Sequence, residues 1–185
     1  MNGNILSTLW PRAQAQLLNK VVLVALGVLL LAASAKVQVP FWPVPMTLQT
    51  AVVLLIGVTY GARLAASTLV SYLAAGAVGL PVFATGAGLA YMAGPTGGYL
   101  AGFLVAAAVT GWLADKGHGR AVLSALAVFA VGEVLIFALG VGWLAGLIGA
   151  DKAIAGGLVP FIPAELLKIA LASAAVAIIW KQEKR

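Results

Sequence analysis

The 185-residue sequence contains no cysteine, a single histidine and few charged residues, with Asp, Glu, Lys and Arg together making up 9% of the chain. The lack of cysteine excludes disulfides and thiol chemistry. Soluble domains typically carry about a quarter charged residues. A chain this poor in charge, with a mean hydropathy of +1.08, is therefore expected to fold in lipid rather than in water.

Several familiar chemistries are also missing. Because His118 is the only histidine, neither a histidine metal site nor a Ser–His–Asp set can be assembled. The sequence has no Gly-x-x-x-x-Gly-Lys-Ser/Thr loop, which excludes ATP hydrolysis by that route. The net charge of +6 comes from basic residues scattered singly between apolar runs, so they form no nucleic-acid-binding patch. We therefore predict no catalytic residue, metal site, cofactor or nucleic-acid partner.

The lengths of the apolar segments predict the architecture. A helix needs about 20 apolar residues to cross the hydrocarbon core of a membrane, and about 17 suffice. By this rule we predict an all-α integral membrane bundle of six transmembrane helices, with 141–150 as an interfacial or re-entrant turn. Residues 1–19 are predicted as a cytoplasmic or interfacial segment, 20–181 as one membrane domain and 182–185 as a cytoplasmic tail. The six predicted spans are 20–35, 46–61, 64–78, 97–114, 121–140 and 161–180.

The distribution of lysine and arginine predicts the orientation of the bundle, because these residues accumulate in cytoplasmic loops. An even number of spans places both ends of the chain on one side. If that side is the cytoplasm, eight basic residues lie inside and two, Lys36 and Lys152, lie outside. We therefore predict cytoplasmic N- and C-termini. The eight inner residues are Arg12, Lys20, Arg63, Lys116, Arg120, Lys181, Lys184 and Arg185.

Three pairs of glycines with four-residue spacing occur in or near the predicted spans. Small residues at this spacing let helix backbones approach closely in lipid. Close packing within the bundle is the favoured interpretation, and a docking surface for a partner protein is the alternative. The pairs are Gly57/Gly61, Gly98/Gly102 and Gly142/Gly146.

The loop between the first two spans is the first of three segments with unusual polar or aromatic content in the outer half of the predicted bundle. Its three prolines make it stiff and non-helical. Phe41 and Trp42 suit either an interfacial aromatic belt or a lid over a ligand. Thr47, Gln49 and Thr50 place polar groups at the start of the second span, where each needs a hydrogen-bond partner from another helix or a ligand.

The second segment is Gly94-Pro-Thr-Gly-Gly-Tyr99, at the entry to the fourth span. Glycines before a helix let backbone amides approach a bound molecule, and the start of a helix presents free N–H groups with a partial positive charge. Non-helical backbone at this depth is tolerated where it is buried in protein or lines a cavity. We therefore predict a cavity here, against the alternative of an ordinary helix start.

The third segment carries two charged residues into the last span. Glu165 and Lys168 are three residues apart and share one helix face, roughly 7 and 12 Å below the outer end of that span. Charges at such depth are expensive and usually functional, although a self-satisfied ion pair is the simpler alternative. Glu133 in the fifth span has a similar estimated depth to Lys168, which suggests the hypothesis of an ion pair between them.

These segments, taken together, resemble the BioY family of bacterial biotin transporters, the substrate-capture (S) subunits of energy-coupling factor (ECF) transporters. The similarity covers nearly the whole chain beyond residue 20, with the motifs in the same order and spacing. The matching motifs are Val37-Gln-Val-Pro-Phe-Trp-Pro-Val-Pro-Met-Thr-Leu-Gln49, Gly79-Leu-Pro-Val-Phe83, Gly94-Pro-Thr-Gly-Gly-Tyr-Leu100 and Pro163-Ala-Glu-Leu-Leu-Lys168.

The resemblance implies a six-helix subunit in the bacterial cell (inner) membrane that binds biotin at its outer face. It also implies partners, namely a transmembrane coupling protein and two cytoplasmic ATPases. Biotin has ureido N–H groups, from which a protein carboxylate can accept hydrogen bonds. Its own carboxylate can be bound by Lys168 or by the amides of a helix start. The implied ligand-binding residues are Gln49, Tyr91, Gly97, Gly98, Tyr99, Glu165 and Lys168, with Phe41, Trp42, Phe83 and Glu133 around them.

The sequence departs from the family pattern at three places. Ala164-Glu165 stands where the family usually has Gly-Asp, and the longer acid changes the geometry of the site. Glu133 occupies a position that is often an amide in the family. The first span lacks the strict Ala-x-x-x-Ala face with which many substrate-capture subunits dock their coupling protein.

Three other functions are weighed against biotin capture. A related capture subunit for another vitamin is the main alternative. An intramembrane enzyme acting on lipid head groups requires clustered acids or histidines near the inner face, where only Asp115 and His118 are candidates. A scaffold subunit has no need of Glu165 and Lys168 at depth.

Overall fold

A computed structural model describes residues 3–9 and 16–183. Among these residues, nearly all the regular structure is helical, as the composition predicts. The one sheet is a pair of two-residue antiparallel strands, β1 and β2. The elements in chain order are α1 (Ile5–Leu9), α2 (Leu17–Lys36), β1 (Gln38–Val39), β2 (Met46–Thr47), α3 (Gln49–Tyr60), α4 (Ala62–Ala77), α5 (Gly88–Met92), α6 (Gly97–Asp115), α7 (Val122–Ile148), α8 (Ala150–Gly157), a 3₁₀ turn (Val159–Phe161) and α9 (Ile162–Glu183).

Four stretches of the described chain are long and apolar enough to cross a membrane. The last of them contains α8, the 3₁₀ turn and α9, while α3 is a shorter apolar helix. Large apolar side chains such as Leu29, Leu123 and Leu171 are exposed on these helices, as expected of surfaces that face lipid. The chain is thus a multi-pass membrane protein. The four stretches are Leu17–Lys36, Gly97–Asp115, Val122–Ile148 and Ala150–Gln182.

Two predicted boundaries are wrong. The second span was predicted from residue 46, but α3 begins at Gln49 because Met46 and Thr47 pair with β1. The segment 141–150 was predicted as an interfacial or re-entrant turn, but α7 continues through it to Ile148. The helix ends instead at Gly149, which has a φ of +86°, and Gly140 lies inside it as a packing position, where a Cβ would strike the ring of Tyr99.

The bundle is organised around α6, which packs against α7, α3 and α4. Glycines make these contacts close. A Cβ on Gly102 would lie 2.9 Å from the Cα of Ile136 in α7, and a Cβ on Gly57 in α3 would strike the side chain of Thr110. By contrast, apart from the nearby backbone of α7 itself, no atom of the described residues lies within 4 Å of the Cβ positions of Gly142 and Gly146. Of the predicted pairs, the first two pack inside the bundle and the third does not.

A substitution at Gly102 is expected to separate α6 from α7. We expect Gly102→Ala to destabilise the detergent-solubilised protein by about 1–3 kcal/mol, because the added methyl meets backbone rather than a flexible side chain. Thermal unfolding measures the effect. Gly142→Ala is the matched control, since its methyl enters open space. Equal melting temperatures for the two variants would contradict the close α6–α7 contact.

The end of the bundle away from the start of α3 holds both described ends of the chain. Gly61, with φ of +79°, turns α3 directly into α4. The carboxylate of Asp115 accepts hydrogen bonds from Asn4 Nδ2 at 2.7 Å and from the Ala62 amide at 3.0 Å. Arg120 donates to the carbonyl of Gly3 at 3.2 Å and its guanidinium lies 4.6 Å from the Trp180 ring centroid. Three of the predicted inner basic residues, Arg12, Lys184 and Arg185, lie outside the described residues.

Candidate functional site

A cavity of about 40 Å³ lies where α3 and α6 begin, beside α7 and α9. This volume has room for a few water molecules and is well below the roughly 300–1,000 Å³ of small-molecule pockets, so a larger ligand requires the walls to move apart. Its walls are mostly aromatic or aliphatic, with five polar residues among them, which is the usual make-up of a small-molecule site. The lining residues are Val44, Pro45, Thr47, Gln49, Thr50, Phe83, Ala84, Tyr91, Thr96, Tyr99, Leu100, Phe103, Phe137, Phe161 and Glu165.

The polar side of the cavity is built from α9 and the start of α3. Lys168 Nζ lies 2.8 Å from Glu165 Oε1 and forms an ion pair with it. The same ammonium donates to the Thr47 carbonyl at 2.6 Å and to Thr50 Oγ1 at 3.1 Å, so its three N–H groups are all used. Thr50 Oγ1 in turn donates to Glu165 Oε2 at 2.7 Å. Glu165 is therefore held as a carboxylate with one face toward the cavity.

The local sequence explains why Glu165 is placed there. Val159–Phe161 form a 3₁₀ turn that includes Pro160, and α9 starts directly after it at Ile162. Glu165 consequently falls in the first turn of α9. The positive end of the helix dipole stabilises a carboxylate at that position. The predicted Glu133–Lys168 ion pair is not formed, because Lys168 is paired with Glu165.

The loop between α4 and α5 is tied to the cavity by hydrogen bonds. Gln49 Nε2 donates to Tyr72 OH at 2.7 Å, and Tyr72 OH donates to the Val82 carbonyl at 3.0 Å. From the other side, Lys36 Nζ donates to the Phe83 carbonyl at 2.6 Å. These bonds hold the fully buried Phe83 side chain over the cavity.

Aromatic rings form two groups around the cavity. Phe83 stacks on Tyr91, with ring centroids 5.1 Å apart, and meets Tyr72 edge-on at 5.5 Å. On the far wall, Phe137 meets both Tyr99 and Phe161 in T-shaped contacts, at 5.8 and 5.7 Å. Tyr99 is fixed further by a 2.7 Å hydrogen bond from its hydroxyl to the Gly157 carbonyl. Such rings offer apolar faces to a bound molecule.

The predicted site residues fall into three groups. Those that line the cavity are Gln49, Tyr91, Tyr99, Glu165 and Phe83.

Lys168 lies behind Glu165, with its Nζ 2.8 Å from the carboxylate. Gly97 and Gly98 pack the start of α6, where a Cβ would strike the Met92 carbonyl and the Trp143 side chain.

The remaining predicted residues lie at the edges. The Phe41 and Phe161 ring centroids are 6.3 Å apart, whereas Trp42 is 79% exposed. Glu133 is buried and lines a separate groove between α7 and α9.

Several lining residues were missed by the sequence analysis, although a simple signal points to three of them. Phe103, Phe137 and Phe161 each stand four residues from a predicted position, namely Tyr99, Glu133 and Glu165. Residues four apart share one face of a helix or its continuation. Thr47 and Thr50 were singled out as polar groups in need of partners, and the structure supplies those partners in Lys168 and Glu165.

Within residues 3–9 and 16–183, no group of three or more His, Asp or Glu side chains is arranged to hold a metal ion. The cavity itself presents a carboxylate, an amide, several hydroxyls and aromatic faces.

The fold and cavity together define a class, that of small multi-pass membrane proteins with an internal cavity of mixed aromatic and polar lining. Within this class, the model of the BioY family matches residues 7–185. The chain belongs to the BioY family.

Curated relatives agree with this placement. A biotin transporter from Thermotoga maritima is 40% identical over 146 residues, covering 78% of this chain and 85% of the relative. A probable biotin transporter from Pyrococcus horikoshii is 38% identical over 154 residues, covering 83% and 91%. A probable biotin transporter from Rickettsia prowazekii is 33% identical over 154 residues, covering 83% and 79%.

A solved structure has the same fold. The S-component for biotin from an ECF-type ABC transporter superposes with a TM-score of 0.77 at 22% identity, covering 93% of this chain and 94% of that one.

Proposed function

We propose that this protein binds biotin in the cavity between α3, α6, α7 and α9 and mediates its uptake as the substrate-binding subunit of an ECF-type transporter. The observation that carries the proposal is the Glu165–Lys168–Thr50 cluster on one side of a cavity whose other walls are largely apolar. The transporter names of the relatives and the fold of the biotin S-component support it.

The two kinds of wall suit the two parts of biotin. Glu165 is an acceptor that faces the cavity, and ureido N–H groups are donors, so a charge-assisted hydrogen bond joins them. Phe83 and Tyr91 above, with Tyr99 and Phe137 beside them, cover the bicyclic ring and the tail. Lys168 is paired with Glu165, and its positive charge compensates the negative charges of Glu165 and of the ligand carboxylate.

The topology we propose has six membrane-crossing helices, α2, α3, α4, α6, α7 and α9, in one domain from residue 20 to 181. Both termini then lie in the cytoplasm and the cavity opens toward the outside of a bacterial inner membrane. Arg63, Lys116 and Arg120 at the end away from the cavity support this orientation through the positive-inside rule. Cysteine labelling from outside intact cells tests it, since Lys152→Cys should react and Lys116→Cys should not.

The partners we propose are a transmembrane coupling protein and cytoplasmic ATPases. The chain has no phosphate-binding loop of its own, so energy from ATP must come from another subunit. The long apolar helix α2 leaves most of its surface unburied, Ala25 included, which suits contact with a membrane partner.

Calorimetric titration of the detergent-purified protein with biotin tests the ligand. We expect saturable one-to-one binding that thiamine and riboflavin do not displace. Absence of binding heat with biotin would refute the proposal, and displacement by another vitamin would favour the capture subunit for that vitamin instead.

A further inference from the structure

Glu133 is a buried acid that the proposed binding site leaves unexplained. Its side chain is 6% exposed and comes from the middle of α7. Neither of its carboxylate oxygens has a hydrogen-bond donor among the described residues. An ionised carboxylate buried without a donor is among the most expensive arrangements in a protein. The free-energy cost of burying Glu133 must therefore be lowered by a neighbouring charge or by protonation of the carboxylate itself.

The neighbours of Glu133 distinguish these two possibilities. Glu133 and Glu165 line the same groove of about 240 Å³ between α7 and α9. Both side chains face this groove, and Lys168, which is paired with Glu165, supplies a positive charge beside them. As carboxylates both groups are acceptors, so no hydrogen bond forms between them unless one carries a proton.

Counting charges gives the same result. Lys168 is already paired with Glu165, and its other two N–H groups donate hydrogen bonds to the Thr47 carbonyl and to Thr50 Oγ1. A second ionised acid at Glu133 leaves the cluster with a net charge of minus one at low dielectric, and one proton brings it to zero. α3 contributes no charged side chain, and the acid of α6, Asp115, is bound to Asn4 and the Ala62 amide at the other end of the bundle. Asp151 and Lys152 of α8 are exposed.

We infer that Glu133 carries a proton and donates it in a hydrogen bond to Glu165, which makes Glu133 a positioning residue for the ligand-facing carboxylate. The Glu165 carboxylate has room for this bond, since it accepts one hydrogen bond on each oxygen from Lys168 and Thr50 and a carboxylate offers about four acceptor sites. A protonated glutamate can donate a hydrogen bond, as an amide side chain does. Unlike an amide, it loses this donor when it is deprotonated.

Infrared spectroscopy of the purified protein tests the proton without any ligand. The chain has five acidic residues, so the C=O stretching band of a protonated carboxyl group is readily assigned. We expect this band in the wild type at neutral pH, its loss in Glu133→Gln and its persistence in Asp151→Asn. Absence of the band in the wild type, or its survival in Glu133→Gln, would overturn the inference.

A second measurement, which rests on the proposed function, follows biotin affinity against pH. Glu133→Gln keeps a donor and should bind within about threefold of the wild type at neutral pH, whereas Glu133→Leu should bind about tenfold more weakly. Raising the pH should weaken binding to the wild type, because loss of the proton adds a negative charge beside Glu165 and an anionic ligand. Glu133→Gln should not show this decline, and parallel pH profiles for the two proteins would contradict the positioning role. If biotin fails to bind but the infrared band is present, the proposed function is wrong, whereas the inference that Glu133 is protonated is supported.

Discussion

Lys168→Ala is expected to weaken biotin binding by about a hundredfold. The substitution removes three hydrogen bonds and leaves Glu165 buried without its cation. Without Lys168 the ligand carboxylate would meet an uncompensated Glu165, and truncating one partner of a buried charge pair costs about 2–5 kcal/mol of binding free energy. Every 1.4 kcal/mol or so is a factor of ten in affinity. Calorimetric titration of wild type and variant measures the loss directly.

Lys152→Ala is the matched control, because Lys152 lies in α8 on the predicted outer side and is exposed. It should bind biotin as the wild type does. Comparing biotin with its uncharged amide identifies the end of the ligand that Lys168 serves. If Lys168 meets the ligand carboxylate, the amide binds weakly to the wild type and equally weakly to Lys168→Ala. Unchanged binding of biotin by Lys168→Ala would be consistent with biotin as the ligand but would refute the proposed binding site.

Phe83→Ala is expected to lower both stability and affinity. Phe83 is fully buried, stacks on Tyr91 and packs so closely on α4 that a Cβ at Gly76 would enter its ring. Replacing such a side chain by alanine leaves a cavity that costs about 3–5 kcal/mol. Because the same ring lines the binding cavity, biotin loses an apolar wall as well. Thermal unfolding with and without biotin separates the two effects.

Leu80→Ala is the control for this prediction. Leu80 lies in the same loop but is 53% exposed, so its loss should change neither the melting temperature nor the affinity appreciably. Equal effects of the two substitutions would mean that the loop as a whole, and not the buried ring, determines stability.

The lengths of apolar runs were enough to predict a helical membrane protein, because lipid leaves a spanning segment few alternatives to the helix. The ion pair of Glu165 and Lys168 was likewise predictable, since residues three apart on one helix share a face. Length alone did not predict where α7 ends. Its end depends on whether Gly140 or Gly149 is the terminating glycine, and only contact with Tyr99 makes Gly140 a packing position.

Pairing between helices was the part that the sequence left undetermined. Glu133 and Lys168 have similar predicted depths, but depth says nothing about which way a side chain points around its helix axis. Thr50 of α3 and Thr47 before it reach α9 because the short strands β1 and β2 fold the preceding loop back on itself. Short-strand pairing of that kind is decided by the packed bundle rather than by local propensity.

The length of α3 bears on how deep the cavity lies in the membrane. Twelve residues at about 1.5 Å each make a rod of roughly 18 Å, against a hydrocarbon core of about 30 Å. In the proposed topology, with Gly61 at the inner boundary of that core, the start of α3 and the cavity beside it lie about two fifths of the way into the bilayer from the outside. A ligand that reaches this cavity would cross that part of the bilayer by binding alone.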